Sequence, residues 1–213
     1  FAKPDAARRL IAELARPGYV PVPVALGPNT DAYQPLERRL RVTRGLLEVL
    51  VETRHPFGIT TKSALVLRDL DLLTRAARDG LVGVDLSVTT LEPELARRLR
   101  AGQRLEPRAA APHRRLAVIR AQHEAGVPVG VNVAPLVPGL NDHEIERILA
   151  AAAEAAARWA SYVLVRLPHE VKELFQAWLE AHMPLRAAHV LSLVRQCRDG
   201  RLNDPSFGTR MTG

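Results

Sequence analysis

The chain has 213 residues, 47% of them apolar, and a formal net charge of +7, a composition that fits one globular domain with a sizeable core. Its single cysteine, Cys197, excludes an internal disulfide framework and any zinc or iron–sulfur site made from this chain's cysteines alone. No apolar run reaches the ~20 residues of a membrane-spanning helix, and Phe1-Ala2-Lys3-Pro4 opens into a helical pattern rather than a signal peptide. The expectation is therefore a cytoplasmic protein with no membrane partner. The missing initial Met makes a piece of something longer the expected status of the chain.

Pro4 to Arg16 predicts a helix with Pro in its first turn and Leu10, Ile11 and Leu14 on its apolar face. Val20 to Leu26 predicts a strand whose two prolines suit an edge, and Leu36 to Thr53 a helix with apolar residues at 36, 40, 46, 47 and 50. Phe57 to Thr61 reads as a strand. Asp69 is expected to cap a helix running to Arg78, and Leu81 to Val88 is the next strand. Helices are expected from Pro93 to Arg100 and from Pro112 to Ala125. The β-branched run from Val127 then ends in Pro135-Leu136-Val137-Pro138-Gly139. Asn141 or Asp142 is expected to cap a helix from His143 to about Ala157. Tyr162 to Leu167 is a strand, His169 to Ala181 and Leu185 to Arg198 are helices, and the chain from Asp199 reads as loop. Trp159 and Trp178 read as packing residues, and Cys197 as a small buried hydrophobe in the last helix.

Strands that alternate with helices predict a parallel sheet joined by crossovers. The strands are short apolar runs, as expected when both faces are covered. An open or partial barrel fits this pattern, and so does a doubly wound sheet. On a barrel, the residues just past each strand converge on one mouth. They are Asn29, Thr30 and Asp31; Lys62 and Ser63; Ser87, Thr89 and Thr90; Asn132 and Pro135; Arg166 and His169. Hydroxyls, amides, a carboxylate and two cations suit a polar, zwitterionic or nucleotide-like small molecule.

The rest of the sequence offers less. Neither Gly-x-Gly-x-x-Gly nor a Gly-Lys-Ser/Thr loop is present, and the histidines lack metal-ligand spacing. The basic excess either marks a polyanionic partner such as nucleic acid or reflects arginines on solvated helix faces. With only 4% aromatics and no basic tract interleaved with them, the second reading is the stronger.

Several linked stretches resemble successive motifs of radical S-adenosylmethionine (radical SAM) proteins, in particular the bacterial group related to spore photoproduct lyase. These are Ala25-Leu26-Gly27-Pro28-Asn29-Thr30-Asp31-Ala32-Tyr33-Gln34-Pro35-Leu36-Glu37, Thr60-Thr61-Lys62-Ser63, Leu86-Ser87-Val88-Thr89-Thr90 and Val133-Ala134-Pro135-Leu136-Val137-Pro138-Gly139-Leu140-Asn141-Asp142. The tail stretches Arg195 to Gly200 and Phe207 to Met211 are similar too. The resemblance implies an α/β fold, a partial (β/α)6 TIM-type barrel, here without its first strand and cluster loop. That barrel would cover residues 1–198, with a loop-rich tail at 199–213. It implies S-adenosylmethionine and a 4Fe-4S cluster as cofactors, an electron donor such as flavodoxin or ferredoxin, and hydrogen abstraction by a 5′-deoxyadenosyl radical.

By position, the resemblance sets Thr30 and Asp31 near the methionyl amino group, Lys62 near its carboxylate and Ser87 near the ribose. Asn132, Ala134, Pro135, Arg166 and Leu167 fall along the adenine, and Asn29 and Thr89 belong to the same cofactor site. The family's Cys-x-x-x-Cys-x-x-Cys loop is absent from this sequence, so the cluster ligands are expected upstream of Phe1. A second departure is the segment Arg100 to Arg104, which reads as a local insertion. The alternatives are a non-catalytic α/β domain that binds a nucleotide-like ligand or RNA, and a barrel enzyme using Lys62 or Asp31 for acid–base or Schiff-base chemistry.

Overall fold

Strand order decides between the two architectures left open by the sequence. The computed structural model describes residues 3–100 and 111–205. Within them β1 (Val24–Leu26), β2 (Phe57–Thr61), β3 (Val82–Ser87), β4 (Val129–Leu136) and β5 (Ala160–Leu164) form one parallel sheet in the order β1-β2-β3-β4-β5. A doubly wound sheet reverses direction at a switch point. Here every crossover steps the same way, so the helices collect on one face and the sheet curls into a half-barrel.

The outer face is the larger core. Phe57, Ile59, Val84, Leu86, Val129, Val131 and Val133 are buried there against α3 (Val42–Glu52), α4 (Leu70–Arg78), α6 (Pro112–Glu124) and α7 (Ile145–Glu154), which contribute Leu47, Leu50, Leu73, Ile119 and Ile148 among others. Because side chains alternate along a strand, Gly58, Thr60, Gly83, Asp85, Ser87, Gly130 and Asn132 fall on the inner face. A second cluster lies beyond the strands' C-terminal ends. It joins Leu95 and Leu99 of α5 (Pro93–Arg100) and Val137 and Leu140 to α8 (Val171–His182) and α9 (Pro184–Gln196), with Phe175, Trp178 and Val190 at its centre.

Several sequence expectations are corrected. The helix expected from Leu36 to Thr53 is two, α2 (Glu37–Leu40) and α3, because Arg41 between them takes a left-handed backbone at φ +50°. Leu36 and Leu40 are consequently exposed, and the buried Glu37 carboxylate accepts from the backbone N–H groups of Thr43 and Arg44 at the start of α3. β1 is only its last residues, since Pro21 and Pro23 carry no N–H for a ladder. β5 begins at Ala160, earlier than the apolar run suggested.

Neither Asp69 nor Asn141 caps a helix through its side chain. Asp69 instead pairs with Arg44 and Arg68. α1 (Ala6–Leu14) buries no residue completely, and Ile11 is exposed. Cys197 is exposed, because α9 buries Val190 and Val194, and Arg198 continues that i, i+4 stripe past the helix end. The Arg100 to Arg104 insertion falls mostly on residues 101–110, and the Phe207 to Met211 motif wholly on 206–213. Both segments lie outside the described residues.

Gly27 sets the approach of the first loop to β2. Its φ is +94°, and a Cβ there would stand 2.1 Å from the backbone carbonyl oxygen of Thr60. Gly27→Ala is expected to destabilise the fold by about 2 kcal/mol or more, read as a lowered urea midpoint.

Candidate functional site

The strand ends are fastened to one another by buried polar groups. Asp31, after β1, accepts from Thr61 Oγ1 (2.7 Å) and the Tyr33 N–H (2.8 Å) through Oδ1, and from the Lys62 N–H (2.8 Å) through Oδ2. Lys62, after β2, reaches past β3 to the Ala134 carbonyl of β4, donating through Nζ at 2.7 Å. Thr89, after β3, donates to that same carbonyl at 2.9 Å. The first, second, third and fourth strand ends thus meet in one hydrogen-bonded rim. Asn29 and Thr30 remain exposed on their loop.

Two further residues shape the loops behind this rim. Asn141 Oδ1 accepts from the Val137 N–H (2.7 Å), while Nδ2 donates to the carbonyls of Thr89 (2.6 Å) and Pro135 (3.0 Å). Glu144, fully buried, accepts from Thr90 Oγ1 and from the backbone N–H groups of Leu91 (2.8 Å) and Glu92 (3.1 Å) just ahead of α5. A carboxylate there also suits the positive end of the α5 dipole. Pro135 has no N–H for the ladder, and the register of β4 against β5 slips between Val133 and Leu136. Ser87 ends β3 with its carbonyl held by the buried Arg115 (2.8 Å).

Beyond β5, Arg166 lines a hollow of about 260 Å³ with Pro168, His169, Asn203, Asp204 and Pro205. Buried Leu167 donates its N–H to Asn203 Oδ1 at 3.2 Å. The start of the tail is therefore folded against the last strand end.

Inside the curl, the sequence reading missed Asp85 and misjudged Trp159. Thr60, Asp85 and Gly130 share one register layer, and Val131 pairs with Ala160, which sets Trp159 beside Gly130. Trp159 Nε1 donates to Asp85 Oδ1 at 2.8 Å, and its ring lies over Gly83 and Gly130. Burial pushes the Asp85 carboxyl up, and the indole N–H offsets part of that rise. The signal for Asp85 was present in Val82-Gly83-Val84-Asp85-Leu86: a lone acid at an odd position of an otherwise apolar strand. One layer above, Ser87 pairs with Asn132, whose Oδ1 is buried without a hydrogen-bond partner.

An ammonium, a carboxylate, an amide with an unsatisfied oxygen and several strand-end carbonyls fit a ligand that combines an amino acid with a nucleoside. For a metal cluster the chain offers little. Its one cysteine is exposed beyond α9, and among the described residues no group of three His, Cys, Asp or Glu side chains could hold a metal ion. Nor, among those residues, is any helix long and apolar enough to cross a membrane.

Residues 1–152 match the family model of the radical SAM superfamily. The chain is similar to an uncharacterized protein of Mycobacterium tuberculosis, with 33% identity over 196 residues, 91% of this chain and 56% of the relative. It is also similar to uncharacterized proteins of Acidianus two-tailed virus (36% over 115 residues, 54% of this chain and 35% of the relative) and of Methanocaldococcus jannaschii (30% over 115 residues, 54% and 40%). The chain spans about half the length of the mycobacterial relative.

Two outcomes are expected from these contacts. Asn141→Ala deletes one acceptor and two donated bonds at a buried position, and a loss of about 3 kcal/mol in unfolding free energy is expected, measured by urea denaturation. The second concerns pH. The folded chain holds the Asp85 proton more tightly than the unfolded chain does, so this group's contribution to stability is full below the ordinary carboxylate range. It is lost as pH rises through the raised value. Asp85→Asn keeps an acceptor for Trp159 without the charge, so its stability relative to the parent chain grows from about pH 4 to pH 7, compared by urea midpoints.

Proposed function

Because the chain belongs to the radical SAM superfamily, we propose that it is the SAM-binding half-barrel of an iron–sulfur enzyme that abstracts hydrogen from a substrate. When bound, the cofactors of this superfamily supply a 5′-deoxyadenosyl radical. The cluster ligands and the electron donor come from outside these 213 residues, whose single cysteine cannot supply them. The observation that carries the reading is the rim itself: β1 to β4 ends drawn together around Asp31, Lys62 and the Ala134 carbonyl, above an inner face where Asn132 Oδ1 waits for a donor.

In this reading the loop of Asn29, Thr30 and Asp31 faces the methionyl amino group. Lys62 meets the methionyl carboxylate, turning from its carbonyl partner to do so. Ser87 and Thr89 border the ribose, and Asn132, Ala134, Pro135, Arg166 and Leu167 border the adenine. The barrel would occupy residues 1–198 and the tail residues 199–213, of which Asn203 meets the last strand end. The finer assignment to the spore photoproduct lyase group, with nucleic acid as substrate, rests on the motif stretches and on the charge of +7.

A second reading is favoured by the same lone cysteine: an α/β domain that binds a nucleotide-like ligand and does no radical chemistry. The two separate in one experiment. The full-length parent, with its cluster reconstituted and chemically reduced, should release 5′-deoxyadenosine from SAM; none released from a fully loaded preparation would leave the binding-domain reading. In that same preparation Lys62→Ala should weaken SAM binding about tenfold by calorimetry, the expected loss of one charge-assisted contact.

A further inference from the structure

We propose that the floor of the half-barrel is a platform for a planar heterocycle bearing an amino or imino N–H, and that this is the substrate end of the site. The assignment to substrate rests on the rim being used by SAM.

The platform is the indole of Trp159. A Cβ built on Gly130 would stand 2.1, 2.4 and 2.5 Å from its Nε1, Cε2 and Cδ1 atoms, and one built on Gly83 would stand 3.5 Å from both Cζ2 and Cη2. Near-equal distances to several ring atoms mean that the indole lies flat across two glycines. Any larger residue at Gly130 would lift it. The bond from Nε1 to Asp85 Oδ1 fixes the ring in its plane. With one side against the glycines, 37% of the residue is exposed. A flat, pinned indole that keeps this much exposure is a stacking surface for aromatic rings.

Around it, two acceptor oxygens lack a protein partner. Asp85 Oδ2 makes no hydrogen bond among the described residues, and only Oδ1 is used by Trp159. Asn132 is 93% removed from solvent and its Oδ1 has no partner. It stands two residues above Gly130 on the same face of β4 and one diagonal step from Asp85, within about 8 Å. A residue that merely plugged the barrel would leave no such oxygens facing it. Acceptors above a stacking face favour a ring that donates N–H groups over one that only accepts, because the buried Asn132 oxygen would otherwise stay unpaired.

The chain's two tryptophans make the test direct, since Trp178 is 1% exposed and Trp159 is the accessible fluorophore. Adenosine and purine riboside stack alike, but only adenosine carries an amino group. Adenosine is expected to quench the fluorescence saturably, with purine riboside binding at least about tenfold more weakly. Asp85→Asn, which offers an N–H where the free oxygen stood, should narrow or invert that preference, an outcome that partial unfolding cannot produce. Trp159→Phe should abolish the quench. Equal affinities for the two nucleosides, an unchanged preference in Asp85→Asn, or no quench by either would overturn the proposal.

The source of the ring is settled in the cluster-loaded full-length protein by calorimetry. Adenosine binding that persists at saturating SAM supports a substrate seat. Competition by SAM would make the floor the seat of SAM's own adenine and overturn the substrate assignment. Adenosine binding in a protein that fails to bind SAM would remove the proposed function and leave the platform standing.

Discussion

The structure depends on one topological constraint: each strand pairs with the strand that precedes it in sequence, and every connection returns over the same face. Parallel strands need such crossovers, and a uniform step deposits all their helices on one side. The outer face of the sheet is then covered by α3, α4, α6 and α7, while the inner face is left to small and polar residues. Twist accumulating in one direction curls that face into a concavity. The glycines at 58, 83 and 130 and the polar groups of Thr60, Asp85, Ser87 and Asn132 follow from this, because bulk is excluded where strands converge.

A curled sheet of five strands has two edges and loops long enough to wander. What prevents this at the mouth is a set of buried and half-buried side chains that bond mainly to backbone. Lys62 and Thr89 share the Ala134 carbonyl, Asn141 bridges Val137, Pro135 and Thr89, and Glu144 gathers the N–H groups ahead of α5. Each satisfies main-chain groups that strand termini leave open. The same bonds hold the loop backbones at fixed separations, as a ligand spanning several strand ends requires. Stability and site geometry are here the same contacts.

Much of this was legible in the residues. Strand–helix alternation and the short apolar runs of Phe57 to Thr61 and Val82 to Ser87 announced a parallel sheet, and the strand-end polar residues were found because barrels place their chemistry there. Three kinds of feature were not. Arg41 at φ +50° split a helix that periodicity alone runs through, since nothing local marks a non-glycine residue in the left-handed region. The partners of Glu37, Asn141 and Glu144 lie between 4 and 54 residues away in sequence, and side chains that serve a distant backbone look like any solvated polar residue. Trp159 read as a packing residue, because the clearance that Gly83 and Gly130 give it comes from strands far apart in sequence.

Rim and floor differ in electrostatic character, and the difference bears on how a two-part ligand set would be sorted. The rim has donors as well as acceptors: Lys62 Nζ and the Thr89 hydroxyl point at carbonyls, and can turn toward an anionic group that enters. The floor carries the Asp85 carboxylate, whose Oδ1 takes the Trp159 N–H. A carboxylate or phosphate lowered onto that floor would meet like charge in a partly desolvated space, where repulsion is strongest. An anionic ligand is therefore held at the top of the curl, and a neutral or cationic ring can pass below it. On the proposed reading, charge would keep the two ligands apart before any shape complementarity is needed, and Asp85 would be the residue that enforces the lower rule.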